Sequence, residues 1–310
     1  MISVIPASII LPTRDRPYVL ARTLESLRQQ SAQPAEIIVV DGSSGQDGKE
    51  VVNGHLARTA TGCKVVWKPA TRIGAAAQRN EGAAASVEPF TLFVDDDVLF
   101  EPGCLRNLWD AINKDKTIGG VSAMITNQRY QSPGFTSRAV FTMLHGRCEK
   151  SFAGKVIGPA VNLLPEDRAD LPEVVPVEWL NMGCTMYRRE ALPSPPLDTF
   201  FNGYSLMEDL ALSLRVARRG WKLANVRSAR IFHDSQPGPH KSDVAALSAM
   251  ELRNRHYVMT QVLQRRGLFD YLKLAIFEFF QLASVARQNP RALLGTLRGK
   301  ILAPFGVMRR

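Results

Sequence analysis

Four short apolar runs punctuate the first hundred residues, and helix-like segments separate them. Ser8-Ile9-Ile10-Leu11 stops at Pro12. Ile37-Ile38-Val39-Val40 closes on Asp41, Lys64-Val65-Val66-Trp67 is the third run, and Phe90-Thr91-Leu92-Phe93-Val94 closes on Asp95. Between them, residues 18–30 read as an amphipathic helix with Leu20, Leu24 and Leu27 on one face. Residues 74–86 read as an Ala-rich helix and residues 42–48 as a Gly/Ser-rich loop. Strands alternating with helices imply βαβ units, a parallel sheet, and ligands at the carboxyl ends of its strands. The expected fold class is therefore α/β.

Three polar groups fall at those carboxyl ends: Thr13-Arg14-Asp15, Asp41-Gly42-Ser43 and Asp95-Asp96-Asp97. The last is the most demanding. Adjacent carboxylates at the end of a buried strand repel one another and resist desolvation. A divalent cation removes most of that cost, and hard oxygen ligands suit Mg²⁺ or Mn²⁺, ions that commonly clamp phosphates. A solvated turn where the strand leaves the sheet accounts for the same three residues. The first run is not followed by GxGxxG, and no GxxxxGK[ST] occurs, so dinucleotide and P-loop chemistry lose their main support.

With 310 residues, 45% hydrophobic and 22% charged, the chain can bury a substantial core. The opening Met1 to Pro6 has neither a basic leader nor a long apolar stretch, so no signal peptide is expected. No apolar run reaches the roughly 18 residues of a membrane span. Cys63, Cys104, Cys148 and Cys184 form no CxxC pair, which disfavours structural zinc and a disulfide framework and fits a reducing cytosol. The net charge of +10 is uneven. Residues 241–310 hold 12 Lys/Arg against 4 Asp/Glu, or +8, which leaves +2 for residues 1–240. A basic tail, rather than a basic groove around the aspartates, argues against a nucleic-acid partner.

From Leu105 the pattern is less regular. Residues 174–188 look like a mixed strand region, 208–219 a helix, 221–226 a strand, and 243–265 and 268–287 two further helices. The expected division is a catalytic domain over 1–240 and a helical, basic C-terminal extension over 241–310.

Several blocks, in order, resemble the family-2 glycosyltransferases: Ile9-Ile10-Leu11-Pro12-Thr13-Arg14-Asp15-Arg16, then Glu36-Ile37-Ile38-Val39-Val40-Asp41-Gly42-Ser43, then Gly74 through Gly82 with Arg79-Asn80-Glu81, then Phe93-Val94-Asp95-Asp96-Asp97, and late in the chain Met207-Glu208-Asp209-Leu210 and Ile231-Phe232-His233. The resemblance spans roughly residues 6–240. It implies a GT-A (Rossmann-like) nucleotide-diphospho-sugar transferase fold with a mainly parallel sheet, and metal-dependent inverting transfer of one sugar from a nucleotide-diphosphate sugar donor to a hydroxyl of a glycan or lipid-linked acceptor. It assigns Asp97, Asp95 and His233 to a Mn²⁺ or Mg²⁺ ion. Asp95 would also face the ribose or uridine side, with Asp96 beside it. Thr13, Asp15 and Asp41 would lie against the base or ribose, with Arg14 on a phosphate or simply a surface charge, and Arg79 and Asn80 near the diphosphate.

By the same resemblance Asp209 is the general base and Glu208 its neighbour. Each has a plainer alternative: an Asx turn for Asp41, a solvent-facing Arg79, helix capping for Glu208 and Asp209, and a structural His233. Trp179 with Gly183 to Thr185 is a candidate acceptor floor, and a core tryptophan is the simpler account of Trp179. A helix N-terminus lowers a carboxylate's pKa while burial raises it, and sequence leaves the winner at Asp209 open.

Processive relatives carry Q-x-x-R-W and several membrane helices, and Gln261 to Arg265 is followed by no Trp. One sugar per encounter is expected, in exopolysaccharide or cell-envelope glycan assembly. The apolar residues 271–286 and the acid-free stretch after them, with Arg287, Arg291, Arg298, Lys300, Arg309 and Arg310, suit an anionic membrane surface. A cytoplasmic enzyme, peripheral on the inner face of a membrane, follows. The alternatives are a nucleotidyltransferase-like enzyme, which would normally show a glycine-bearing first loop where residues 13–17 have none, and a non-catalytic membrane-bound relative.

Overall fold

The computed structural model describes residues 3–57, 62–236 and 242–307. The chain folds as two compact units, Met1–Arg129 with Pro165–Ser235, and Tyr130–Leu164 with Gln236–Arg310. Sequence patterning drew one boundary at residue 240. In the fold, a segment from the middle of the chain also belongs with the C-terminal helices.

The first unit is built from β1 (Ser3–Thr13), α1 (Pro17–Arg28), β2 (Ala32–Asp41), α2 (Asp47–Leu56), β3 (Lys64–Pro69), α3 (Ala75–Ala85), β4 (Phe90–Val94), β5 (Val98–Phe100), α4 (Cys104–Lys114) and β6 (Ile118–Ile125). The second unit contributes α5 (Phe135–His145), β7 (Val156–Ile157) and β8 (Val161–Asn162). The chain then returns through β9 (Val174–Val177), β10 (Cys184–Arg188), α6 (Glu208–Arg218) and β11 (Lys222–His233).

Among the described residues the first unit carries one sheet in the order β3-β2-β1-β4-β10-β6-β11-β5, with β9 against β11. β3, β2, β1 and β4 are all parallel, as are β6 and β11. β10, β5 and β9 run antiparallel to their neighbours. The fold is mixed α/β around a mostly parallel sheet.

β1 and β2 are buried along almost their whole length, as strands covered on both faces must be. α1 opens with Pro17 in its first turn and buries Leu20, Leu24 and Leu27. Ala76 and Ala83 of α3 are buried. A Cβ on Gly82 would stand 2.4 Å from Cγ2 of Ile10, so the helix lies directly on β1 and carries Arg79 to the sheet's rim.

Three elements appear where the sequence looked irregular. α2 begins inside the expected Gly/Ser loop, where Gly48 allows close approach to Asp41. α4 and β6 are regular, and α4 buries Leu105, Leu108 and Ile112 at helical spacing.

The second unit joins α5 and the β7–β8 hairpin to the helices Val244–Tyr257, Leu268–Gln288 and Leu293–Val307. Leu144, Phe152, Ile157, Val161 and Phe277 form its core, with the Arg255 guanidinium 4.6 Å from the centre of the Phe277 ring. Arg309 and Arg310 of the basic tail lie outside the described residues. No helix among the described residues is long and apolar enough to cross a membrane.

Candidate active site

Parallel pairing aligns the ends of β1 and β2 so that Thr13 is opposite Asp41, and β4, on the other side of β1, delivers the aspartate triplet to the same rim. The three aspartates then part company. Asp96 is turned into the protein, 1% exposed. Its carboxylate accepts from the Thr13 hydroxyl at 2.6 Å and pairs with Arg16, and its carbonyl accepts from Thr23 Oγ1 at 2.6 Å. Burial pushes its carboxyl up to about 7, against the opposing pull of Arg16 and Thr13. The middle aspartate is an anchor between β1, α1 and the loop after β4.

Asp95 and Asp97 face the other way, with His233. Antiparallel pairing of β11 with β5 sets His233 opposite Val98, next in sequence to Asp97. The His233 Nε2 lies 3.0 Å from Asp97 Oδ1 and 4.0 Å from Asp95 Oδ2, and the backbone N–H of Asp234 donates to the Asp97 carbonyl at 2.8 Å. One donor atom from each of Asp95, Asp97 and His233 lies within 4.8 Å of the others. Two carboxylate oxygens and one imidazole nitrogen so gathered, with the Asp95 side chain still partly open to solvent, fit a Mn²⁺ or Mg²⁺ ion.

His233 is held from behind. The Asn127 amide exchanges two hydrogen bonds with its backbone, at 2.9 and 3.1 Å, and Gln128 Nε2 lies 3.3 Å from its Nδ1. Such partners fix ring orientation in metal-ligating histidines.

Arg79 links this trio to α6. It is almost wholly buried and ion-pairs with both Asp95 and Glu208. Its place is thus a bridge between carboxylates rather than an arginine presented to solvent. Burial raises the Glu208 carboxyl to about 8 despite Arg79, and its Oε2 has no hydrogen-bond partner among the described residues.

Asp209, one residue on, is raised to about 6, chiefly by burial. The Leu210 N–H at 2.7 Å on Oδ1 and the Arg79 charge oppose that shift. The contest between helix terminus and burial is settled in favour of burial, which makes Asp209 a stronger base. The loop leading into α6 is strained to make the turn: Ser205 and Met207 have φ of +58° and +69°.

The remaining expected residues divide. Arg14 is exposed and pairs locally with Asp15 at 3.2 Å, while Asp15, at φ +53°, donates from its backbone N–H to Ser43 Oγ at 2.7 Å. The arginine that reaches the triplet is Arg16, which pairs with Asp96 and lies 3.5 Å from Asp97 Oδ2. Asp41 is enclosed, with Oδ1 accepting from the Ser43 N–H at 2.9 Å and Oδ2 from the Trp67 indole at 3.1 Å. That is the Asx turn with an added indole contact.

Asn80 points away from the rim. Its amide bonds the Leu197 carbonyl at 2.8 Å and accepts from the Leu197 N–H at 2.9 Å. Trp179 is buried and offers no open ring face. Sequence reasoning passed over Gln78, whose Nε2 donates to the carbonyls of Thr13 and Val40 and so ties the ends of β1 and β2 to α3. It also passed over Tyr204, whose hydroxyl is raised by burial and by the nearby Asp95 and Asp97 charges.

Against this geometry, a family model described as glycosyl transferase family 2 matches residues 8–158. An uncharacterized glycosyltransferase of Haemophilus influenzae is 34% identical over 111 residues, 36% of each chain. A GalNAc(5)-diNAcBac-PP-undecaprenol beta-1,3-glucosyltransferase of Campylobacter jejuni is 30% identical over 107 residues, 34% of each. The match thus spans about a third of the length of these relatives. An N-acetylglucosaminyl-diphospho-decaprenol L-rhamnosyltransferase of Mycobacterium tuberculosis is 25% identical over 244 residues, covering 74% of this chain and 76% of that one. Among solved structures, a mannosyltransferase of Pyrobaculum calidifontis in complex with GDP-Man and Mn²⁺ superposes with a TM-score of 0.55 at 16% identity, over 98% of this chain and 76% of that one. The glucosyl-3-phosphoglycerate synthase of Mycobacterium tuberculosis gives 0.51 at 17% identity, over 82% and 79%. These likenesses show a shared GT-A fold.

Proposed function

We propose that this chain, which belongs to glycosyl transferase family 2, transfers one sugar from a nucleotide-diphosphate sugar to a hydroxyl of a lipid-linked acceptor, with inversion, in cell-envelope or exopolysaccharide assembly. The observation that carries the proposal is the gathering of donor atoms from Asp95, Asp97 and His233, joined through Arg79 to the acidic pair at the start of α6. Asp209 takes the proton of the acceptor hydroxyl as its oxygen bonds to the anomeric carbon. The bond from that carbon to the diphosphate oxygen breaks, and the nucleoside diphosphate departs.

Mn²⁺ or Mg²⁺, held by Asp95, Asp97 and His233, would supply charge stabilisation to the departing diphosphate. Arg79 keeps Asp95 and Glu208 in register, and Arg16 offsets the charge of the triplet from behind. Thr13 and Asp96 brace the rim, while Asp15, Asp41 and Ser43 shape the wall on which we place the nucleoside.

The lipid-linked acceptor is supported by the names of the Campylobacter and Mycobacterium relatives, both of which act on polyprenyl-diphosphate sugars. Such an acceptor fits an enzyme peripheral on the cytoplasmic face of a membrane. The test is nucleoside diphosphate release from UDP-, GDP- and dTDP-sugars with bacterial membranes as acceptor source, with and without Mn²⁺. Metal-dependent release from one donor class is expected. Release from none, or release indifferent to metal, would refute the proposal.

A further inference from the structure

The helix Leu268–Gln288 is apolar on two faces, one more than a helix bathed in water shows. Its inward face buries Leu274 and Phe277 together with Glu278, which is ion-paired with Lys300 and, at 3.5 Å, with Arg255. Gln281 on the same helix donates to Glu251 at 3.0 Å and accepts from Lys300 at 3.0 Å. Its outward face is apolar: Leu268, Leu272, Ala275, Phe279, Ala283 and Ala286, spaced at three and four residues, are all exposed. Leu268 is 83% exposed and Phe279 73%. Phe269, next to Leu268, is 77% exposed.

The helix Leu293–Val307 also turns apolar residues outward. Thr296 and Lys300 are buried while Leu294, Leu297 and Ile301 are exposed, Leu294 at 80%. A soluble helix places its apolar stripe inward and its charges outward. Two consecutive helices that turn apolar residues outward as well mark a surface whose solvent is not water.

We propose that the outward stripe of Leu268–Gln288 lies in the interface of an anionic bilayer, which names the surface responsible for the peripheral placement given above. The stripe lies on the surface of the membrane rather than across it, since no described helix is long and apolar enough to span. Charge selects the bilayer over a second copy of the chain. After Glu278 the sequence contains no acidic residue, and it holds Arg287, Arg291, Arg298, Arg309 and Arg310 besides the internally paired Lys300. Two copies meeting through this surface would bring cations against cations, whereas anionic headgroups complement them. Arg298, exposed beside Leu294, Leu297 and Ile301, has the long stem that lets a cation reach headgroups above buried apolar neighbours.

The experiment is flotation of the full chain with vesicles of phosphatidylcholine alone and of phosphatidylcholine with phosphatidylglycerol. The variant for comparison combines Leu268→Ser, Leu272→Ser and Phe279→Ser, three exposed positions whose truncation leaves the core untouched. The unaltered chain is expected to float with the anionic vesicles, and the bound fraction of the variant to fall about tenfold or more. Mn²⁺-dependent stabilisation by a nucleoside diphosphate should persist in the variant, which separates a failure of this surface from a failure of the catalytic assignment. Three results would each overturn the proposal: equal flotation of the variant, no flotation of the unaltered chain, or a dimer of the unaltered chain in sedimentation equilibrium that the variant dissolves.

Discussion

Asp97→Asn is expected to reduce sugar transfer by about 10³-fold, because several kcal/mol of charge stabilisation on the departing diphosphate depends on the ion that Asp97 helps to hold. The substitution keeps the side chain's shape. Asp96 remains in place to satisfy Arg16, and the Thr13 and Thr23 hydrogen bonds to Asp96 are untouched. The fold should therefore survive, with a melting temperature within a few degrees of the unaltered chain. The loss should appear as weakened Mn²⁺ binding together with lost turnover. Full activity in the folded variant would remove Asp97 from the site.

Asp209→Asn is expected to lower kcat by about 10² to 10⁴-fold, the range for removal of a general base, while leaving donor and metal binding close to normal. This separation distinguishes the two variants. The pH profile carries a second signature. The Asp209 carboxyl is raised to about 6, mainly by burial. A base must be deprotonated to act, so turnover should hold above that pH and fall as pH drops through about 6. A profile flat from pH 5 to 8 would show that some other group accepts the proton.

The part of the site that sequence made legible is the part set by strand ends. β1, β2 and β4 stop where apolar runs meet Thr13, Asp41 and Asp95, and parallel pairing brings those stops to one rim whatever the details of the loops. Side-chain direction beyond a strand end was not legible. Arg14 and Arg16 are equivalent in composition, yet the left-handed turn at Asp15, which no glycine announces, sends Arg16 to the triplet and Arg14 to solvent. The same limit applies to Asp95, Asp96 and Asp97, where hydrogen bonds from α1 and β1 decide which carboxylate is structural.

Nor could local pattern reveal that β10, from residues 184–188, inserts antiparallel between β4 and β6 and thereby carries β6 and β11 to the far side of the sheet. α2 was hidden by Gly48, which serves close packing against Asp41 rather than the loop before it, and the length of β11 by its register shift against β6. The resemblance put Arg79 near the diphosphate, with a solvent-facing arginine as the alternative, and neither pointed to a partner within the chain. Its anions turned out to be the protein's own Asp95 and Glu208.

The central claim is that Asp95, Asp97 and His233 hold an ion that joins the chain to a nucleoside diphosphate. The most direct measurement is a thermal-shift panel of UDP, GDP, dTDP and CMP, each with and without Mn²⁺, on the unaltered chain and on Asp97→Asn. A ligand at about 100 times its Kd adds roughly 2.7 kcal/mol, a shift of several degrees for a chain of this size. The expected result is stabilisation of the unaltered chain by one nucleoside diphosphate only when Mn²⁺ is present, and its loss in Asp97→Asn. The same shift without metal, or no shift with any nucleotide, would contradict the claim.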